Sequence, residues 1–187
     1  MLLLDGILVG LVASLLTGGR FRCASQNQLR MEYWLVGGLT VQLLWPWIAA
    51  RLGVGTREFL VVWLLVAVLV LGITIVNVKV PGMVLVTIGL LLNLVVVAAN
   101  GGMPVDASQV LGDSSAALES LAASPLHVPV AESTSLLVLG DVLYVPGPSW
   151  HRALVSIGDV LMAFGAGVVA FWTLRCRETS ASEPTAV

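Results

Sequence analysis

Long apolar runs separated by short polar breaks dominate the chain. Five of them, Leu2–Thr17, Tyr33–Ala50, Phe59–Val76, Pro81–Ala99 and about Leu154–Leu174, approach the ~20 residues that a helix needs to cross hydrocarbon. The pattern therefore predicts an all-α integral membrane bundle of five transmembrane helices. Of the nine basic and eleven acidic residues, only Asp5 and Asp159 fall inside these runs. Tryptophan, whose amphipathic ring favours the headgroup level, sits near their ends at Trp34, Trp45, Trp47, Trp63, Trp150 and Trp172. The first run lacks the leading positive charge and trailing small-residue site of a cleaved signal peptide, so it reads as an uncleaved helix.

The polar remainder is lopsided. The predicted organisation is four helices over residues 1–99, a long loop segment at 100–153, a fifth helix at 154–174 and a short disordered tail at 175–187. Lys and Arg in short loops favour the cytoplasmic side. The loop after the first span, the loop after the third and the tail carry six of the nine basic residues, which places the N-terminus and the long loop outside and the C-terminus inside. That long loop is acidic, with Asp106, Asp113, Glu119, Glu132 and Asp141 against Arg152 alone. Within it, Asp113 begins a short stretch with helical spacing and reads as an N-cap. The apolar run Ser135–Val145 is too short to span and reads as a loop packed on the bundle or as a re-entrant segment.

Composition agrees with this picture. Of 187 residues, 58% are apolar and 11% charged, against about 25% charged in a soluble domain. A net charge of −2 argues against a nucleic-acid partner. The lipid bilayer is the first partner implied, with another membrane protein or a second copy as the next. Cys23 and Cys176 fall on one side, the cytoplasmic one, so reduced thiols and no structural disulfide are expected.

No enzyme signature is present. Both histidines, His127 and His151, lie in the long loop, and no His-Glu-x-x-His, paired-Cys zinc spacing, Gly-x-Ser-x-Gly elbow or phosphate loop occurs. No catalytic residue, metal ligand or cofactor is assigned. Candidate ligand-binding residues come instead from polar groups at the same depth: Asp5 at the start of the first helix, Asn100 at the end of the fourth, Asp159 at the start of the fifth, and Asp141 in the loop above them. Each has a structural reading as well. Ser156-Ile-Gly-Asp159 has capping-box spacing, and Asn100-Gly101 suits a helix C-cap followed by Pro104. Asn93 and Gln42, deeper in their helices, read first as interhelical hydrogen-bonding groups, and the small residues of Ala163–Ala170 would let another helix approach closely.

Four motifs taken together resemble a known family. Gly18-Gly19-Arg20, Asn100-Gly-Gly-Met-Pro-Val105, Leu139-Gly-Asp141 and Ser156-Ile-Gly-Asp-Val-Leu161 are similar to the bacterial multi-span membrane proteins grouped as domain of unknown function 5317. The resemblance covers nearly the whole chain and implies a bacterial plasma-membrane protein. It supplies no activity, substrate or catalytic residue. The functional expectation is a non-catalytic binding or accessory protein with a polar site at the outer membrane face. A lipid-modifying enzyme using outer-interface carboxylates and a small oligomeric transporter or channel stand as alternatives.

Overall fold

A computed structural model describes residues 2–106, 124–148 and 153–176. Five helices are present among them: α1 Leu2–Leu16, α2 Glu32–Leu52, α3 Thr56–Val76, α4 Met83–Asn100 and α5 Ile157–Thr173. Three of these, α2, α3 and α4, are long and apolar enough to cross a membrane, while α1 and α5 are shorter apolar helices. At 1.5 Å per residue the 15 residues of α1 reach only about 22 Å, short of the ~30 Å hydrocarbon core. The fifth helix begins later than its apolar run because Ser156 caps it, and residues 153–155 before the cap are extended.

The packed helix pairs are α1 on α5, α5 on α4, α4 on α3 and α3 on α2, so the helices follow an open chain with α1 and α2 at its two ends. Small residues set the closest approaches. Gly6 and Gly10 of α1 lie against the backbone of Ala163 and Gly167, and Gly82 and Gly89 lie against Gly165 and Gly158 on the other side of α5. A Cβ at any of these glycines would strike backbone, which is how a helix of small residues is gripped from both sides. Away from these seams, large apolar side chains such as Leu8, Leu16, Tyr33, Leu43, Trp47 and Leu65 are more than half exposed. Soluble monomers rarely show so much contiguous apolar surface, and lipid is the solvent it suits.

The expectation of an all-α chain needs correction between α4 and α5. Two small sheets form there: β1 Met103–Val105 pairs in parallel with β2 His127–Pro129, and β3 Leu143–Val145 pairs antiparallel with β4 Ala153–Val155. Pro104 and Pro129 favour extended backbone and remove ladder donors, which accounts for strands of three residues. The apolar run Ser135–Val145 becomes a 3₁₀ turn, Leu137–Leu139, followed by β3, and the turn packs against α4 and α5. Val96, Val97 and Met103 join Trp63, Leu64, Leu126 and Leu139 in one apolar cluster that seats the sheets on the helices. The short helix expected after Asp113 lies outside the described residues.

The opposite end of the bundle carries a second correction. Cys23 and Cys176 form a disulfide, where free thiols were expected. The 3₁₀ turn Phe21–Gln26 folds beneath α5: the Arg20 amide donates to Leu174 O at 2.8 Å, and Asn27 Nδ2 donates to the carbonyls of Trp172, Thr173 and Arg175. This clamp brings the two Cα atoms to 4.9 Å across a sequence separation of 153 residues, within the range a disulfide needs. Asn77 completes the base. Its side chain accepts from the Arg30 amide at 2.7 Å and donates to Arg30 O at 2.8 Å, tying the α1–α2 connection to the end of α3.

Candidate functional site

A cavity of about 440 Å³ runs inside the open ring of helices, lined by residues from all five and from the sheet segment. Its walls are apolar: Ile7, Leu39, Trp63, Leu90, Met162 and Val169 face it. Along α4 it extends from Val97, beside the sheets, to Met83 near the disulfide end, a span of about 21 Å at helical rise. Polar groups gather at the sheet end, where Asp141, Asp159, His127 and Asn93 line it, and Gln42 adds one amide from α2.

Asp159 is held by a network closed across two helices. Ser156 is the N-cap of α5: its Oγ accepts from the Asp159 amide at 2.9 Å while Asp159 Oδ2 accepts from the Ser156 amide at 3.1 Å, a complete capping box. Asn93 of α4 then donates from Nδ2 to Asp159 Oδ1 at 2.7 Å, and its Oδ1 accepts from Ser156 Oγ at 2.9 Å. Gly158 makes this possible, because a Cβ there would collide with the Asn93 amide. The carboxylate thus sits at the positive end of the helix dipole with each oxygen already bonded once.

Asp141 is positioned by backbone. Its amide donates to Pro104 O at 2.8 Å, its carbonyl accepts from the Asp106 amide at 3.2 Å, and it bridges Val105 in parallel. These bonds bury the carboxyl to 8% side-chain exposure, with Oδ2 3.6 Å from His127 Nε2 and Oδ1 without a hydrogen-bond partner among the described residues. Burial, reinforced by the nearby Asp159 charge, pushes the Asp141 carboxyl up from 3.8 to about 7. Burial also lowers the His127 imidazole, against an opposing pull from Asp159. Both groups are driven toward neutrality, and 3.6 Å is long for a hydrogen bond, so the contact is not a strong ion pair at neutral pH. On its other side His127 Nδ1 lies 2.6 Å from Ser124 Oγ.

Of the four ligand-binding candidates from the sequence, Asp141 and Asp159 line this cavity and Asn100 and Asp5 do not. Asn100 straps the loop to its own helix. Its side chain donates to Val96 O and Ser135 O and accepts from the Ser135 amide, while Gly101 caps α4 with φ +67°. Asp5 lines a separate groove of about 520 Å³ between α1 and α5, with Val145 and Phe164. His127, Asn93, Gln42 and Thr74 are the polar cavity residues that spacing did not single out as binding groups. His127 arrives only through the pairing of β1 with β2, which sets it opposite Met103. Among the described residues, no cluster of three His, Cys, Asp or Glu side chains could hold a metal ion.

Comparison with known families adds the lineage. The model of a family of unknown function, DUF5317, matches residues 26–171. The chain belongs to the DUF5317 family. The matched region takes in α2 to α5, the two sheets and all the polar cavity residues just described. No curated protein and no solved structure matches this DUF5317 chain.

Proposed function

We propose that this DUF5317 protein is a five-span bacterial plasma-membrane protein that binds an amphiphilic molecule inside its helix bundle. The polar end of the ligand meets Asp141, Asp159 and His127, and its hydrocarbon lies along the apolar length of the cavity. The observation that carries this reading is the shape and polarity of the cavity: about 440 Å³, about 21 Å long, with its charged and imidazole groups at the sheet end and a mostly apolar lining beyond Asn93. The part from Asn93 to Met83, about 15 Å at helical rise, matches the ~15 Å of one hydrocarbon leaflet, so a tail fits lengthwise. Access is supplied by the open chain of helices, because α1 and α2 flank the cavity without forming one of the packed pairs. Such a protein serves as a binding or accessory component at the membrane, presenting its ligand to a partner membrane protein or to a second copy.

The charge bias among the loops orients the sheet end outward, with the N-terminus outside and the C-terminus cytoplasmic. The Cys23–Cys176 bond then faces the cytoplasm, where thiols are kept reduced. Charge acts during insertion, whereas adjacency of the two sulfurs belongs to the fold in either orientation, so the charge argument sets the proposal. Labelling of a Ser182→Cys variant from outside intact cells would reverse it.

Native mass spectrometry of the purified protein tests the binding reading. One amphiphile per chain is expected, lost when Ala166→Trp fills the cavity wall while the variant keeps its thermal stability. A protein that emerges empty from native membranes and takes up no added amphiphile contradicts the proposal. A second reading rests on the His127–Asp141 pair, an imidazole 3.6 Å from a buried carboxyl that is raised to about 7, which suits acid–base chemistry on a bound lipid. Conversion of the bound molecule, abolished by His127→Gln without loss of binding, would favour that reading.

A further inference from the structure

Resting on the amphiphile-binding reading, one more property follows from what the polar end of the cavity contains and lacks. Among the described lining residues there is no Lys or Arg, yet two carboxyl groups face the same space. Their donors are few. Asp159 receives one bond on each oxygen and keeps further acceptor capacity, and Asp141 Oδ1 is buried with no donor among the described residues. A buried acceptor without a donor is costly, and a cavity lined by such acceptors calls for a ligand that brings donors and positive charge. A metal ion is a poor fit, since the described acids and histidines do not form a coordinating group of three. A phosphate or carboxylate headgroup fits worse: it would bring further acceptors toward the Asp159 carboxylate and would meet no Lys or Arg among the described lining residues.

We propose that the headgroup bound between Asp141 and Asp159 ends in a primary ammonium. Its three N–H donors match the open sites: Asp141 Oδ1 and the remaining lone pairs of Asp159. Asn93 and Ser156 hold the Asp159 carboxylate in place and contribute no charge of their own. An aminophospholipid and a free long-chain amine share this chemistry.

The test uses the full-length protein in a neutral detergent and isothermal titration with amphiphiles of one tail and different heads: hexadecylamine, hexadecanol and hexadecyl phosphate. The amine is expected to bind about tenfold to a hundredfold more tightly than the other two, the range of one charge-assisted hydrogen bond. Asp141→Asn should erase most of that preference, bringing the amine to within a fewfold of hexadecanol in the same variant. Because Asp141 is held by its backbone, this variant keeps the capping box intact. A parallel comparison of lysophosphatidylethanolamine with lysophosphatidic acid identifies the source: preference for the former assigns a lipid headgroup, and binding of the plain amine alone assigns a free amine. Equal or tighter binding of hexadecyl phosphate overturns the ammonium assignment while leaving the cavity reading standing. Failure of all three hexadecyl compounds to bind overturns both.

Discussion

Replacing Asp141 by Asn should change how stability depends on pH, with a sign fixed by the burial of the carboxyl. In the folded protein the group titrates at about 7 instead of 3.8, so between these values the folded state holds a proton that the unfolded state has released. Stability contributed by this group is therefore full below about pH 4, falls as pH rises, and levels off above about 7. At about 1.36 kcal/mol per pKa unit the loss across that window is roughly 4 kcal/mol, an upper figure because relaxation and water entry reduce it. The groups around Asp141 shape the rest of the curve. Asp159 adds to the rise, Asp106 meets it through the backbone, and His127, being lowered, contributes in the opposite direction. The Asn variant retains His127 and Asp159, so the difference between wild type and variant isolates Asp141. Chemical denaturation in detergent micelles from pH 4 to 8 measures it: the variant should gain on wild type by several kcal/mol as pH rises, most of it between 5 and 7. A pH-independent difference would refute the claim that Asp141 is a buried, neutralised acid.

Other consequences are local. Gly10→Leu should lower thermal stability by at least the 1–3 kcal/mol typical of overpacking, since its side chain would meet the backbone of Gly167, whereas Gly37→Leu, with open space around it, should be tolerated. Asn93→Leu leaves the Ser156 hydroxyl and Asp159 Oδ1 short of a partner and should cost about 1–3 kcal/mol by denaturation. In protein purified without reductant, Cys23→Ser removes a link across 153 residues and should lower the midpoint by the equivalent of about 2–4 kcal/mol, with the wild-type bond visible as a reductant-dependent shift in gel mobility.

What the sequence displayed was whatever depends on neighbours along the chain. Apolar runs marked the helices because hydrocarbon demands them over a fixed length, and Ser156-Ile-Gly-Asp159 announced its cap because the box closes within four residues. The small residues of α5 likewise signalled close helix contact, though not that it would come from α1 on one side and α4 on the other. Long-range pairings left no such mark. Nothing near Cys23 points to Cys176, and the clamp that joins them is built from the backbone carbonyls at the end of α5. His127 reads as a loop residue between prolines until β1 and β2 pair. Asp5 and Asp159 share a depth but face different spaces, because depth follows from position along a helix and facing follows from packing.

The central claim is that hydrocarbon occupies the cavity beside Trp63. Fluorescence quenching by a single-tailed amphiphile brominated midway along its chain tests this directly, comparing wild type with Trp63→Phe in micelles of an unbrominated detergent. The account predicts saturable quenching at about one amphiphile per chain, absent in Trp63→Phe and blocked by Ala166→Trp. Quenching that rises without saturation and is equal in the wild type and Trp63→Phe would mean that the bromines reach only the outer surface of the bundle, and would contradict it.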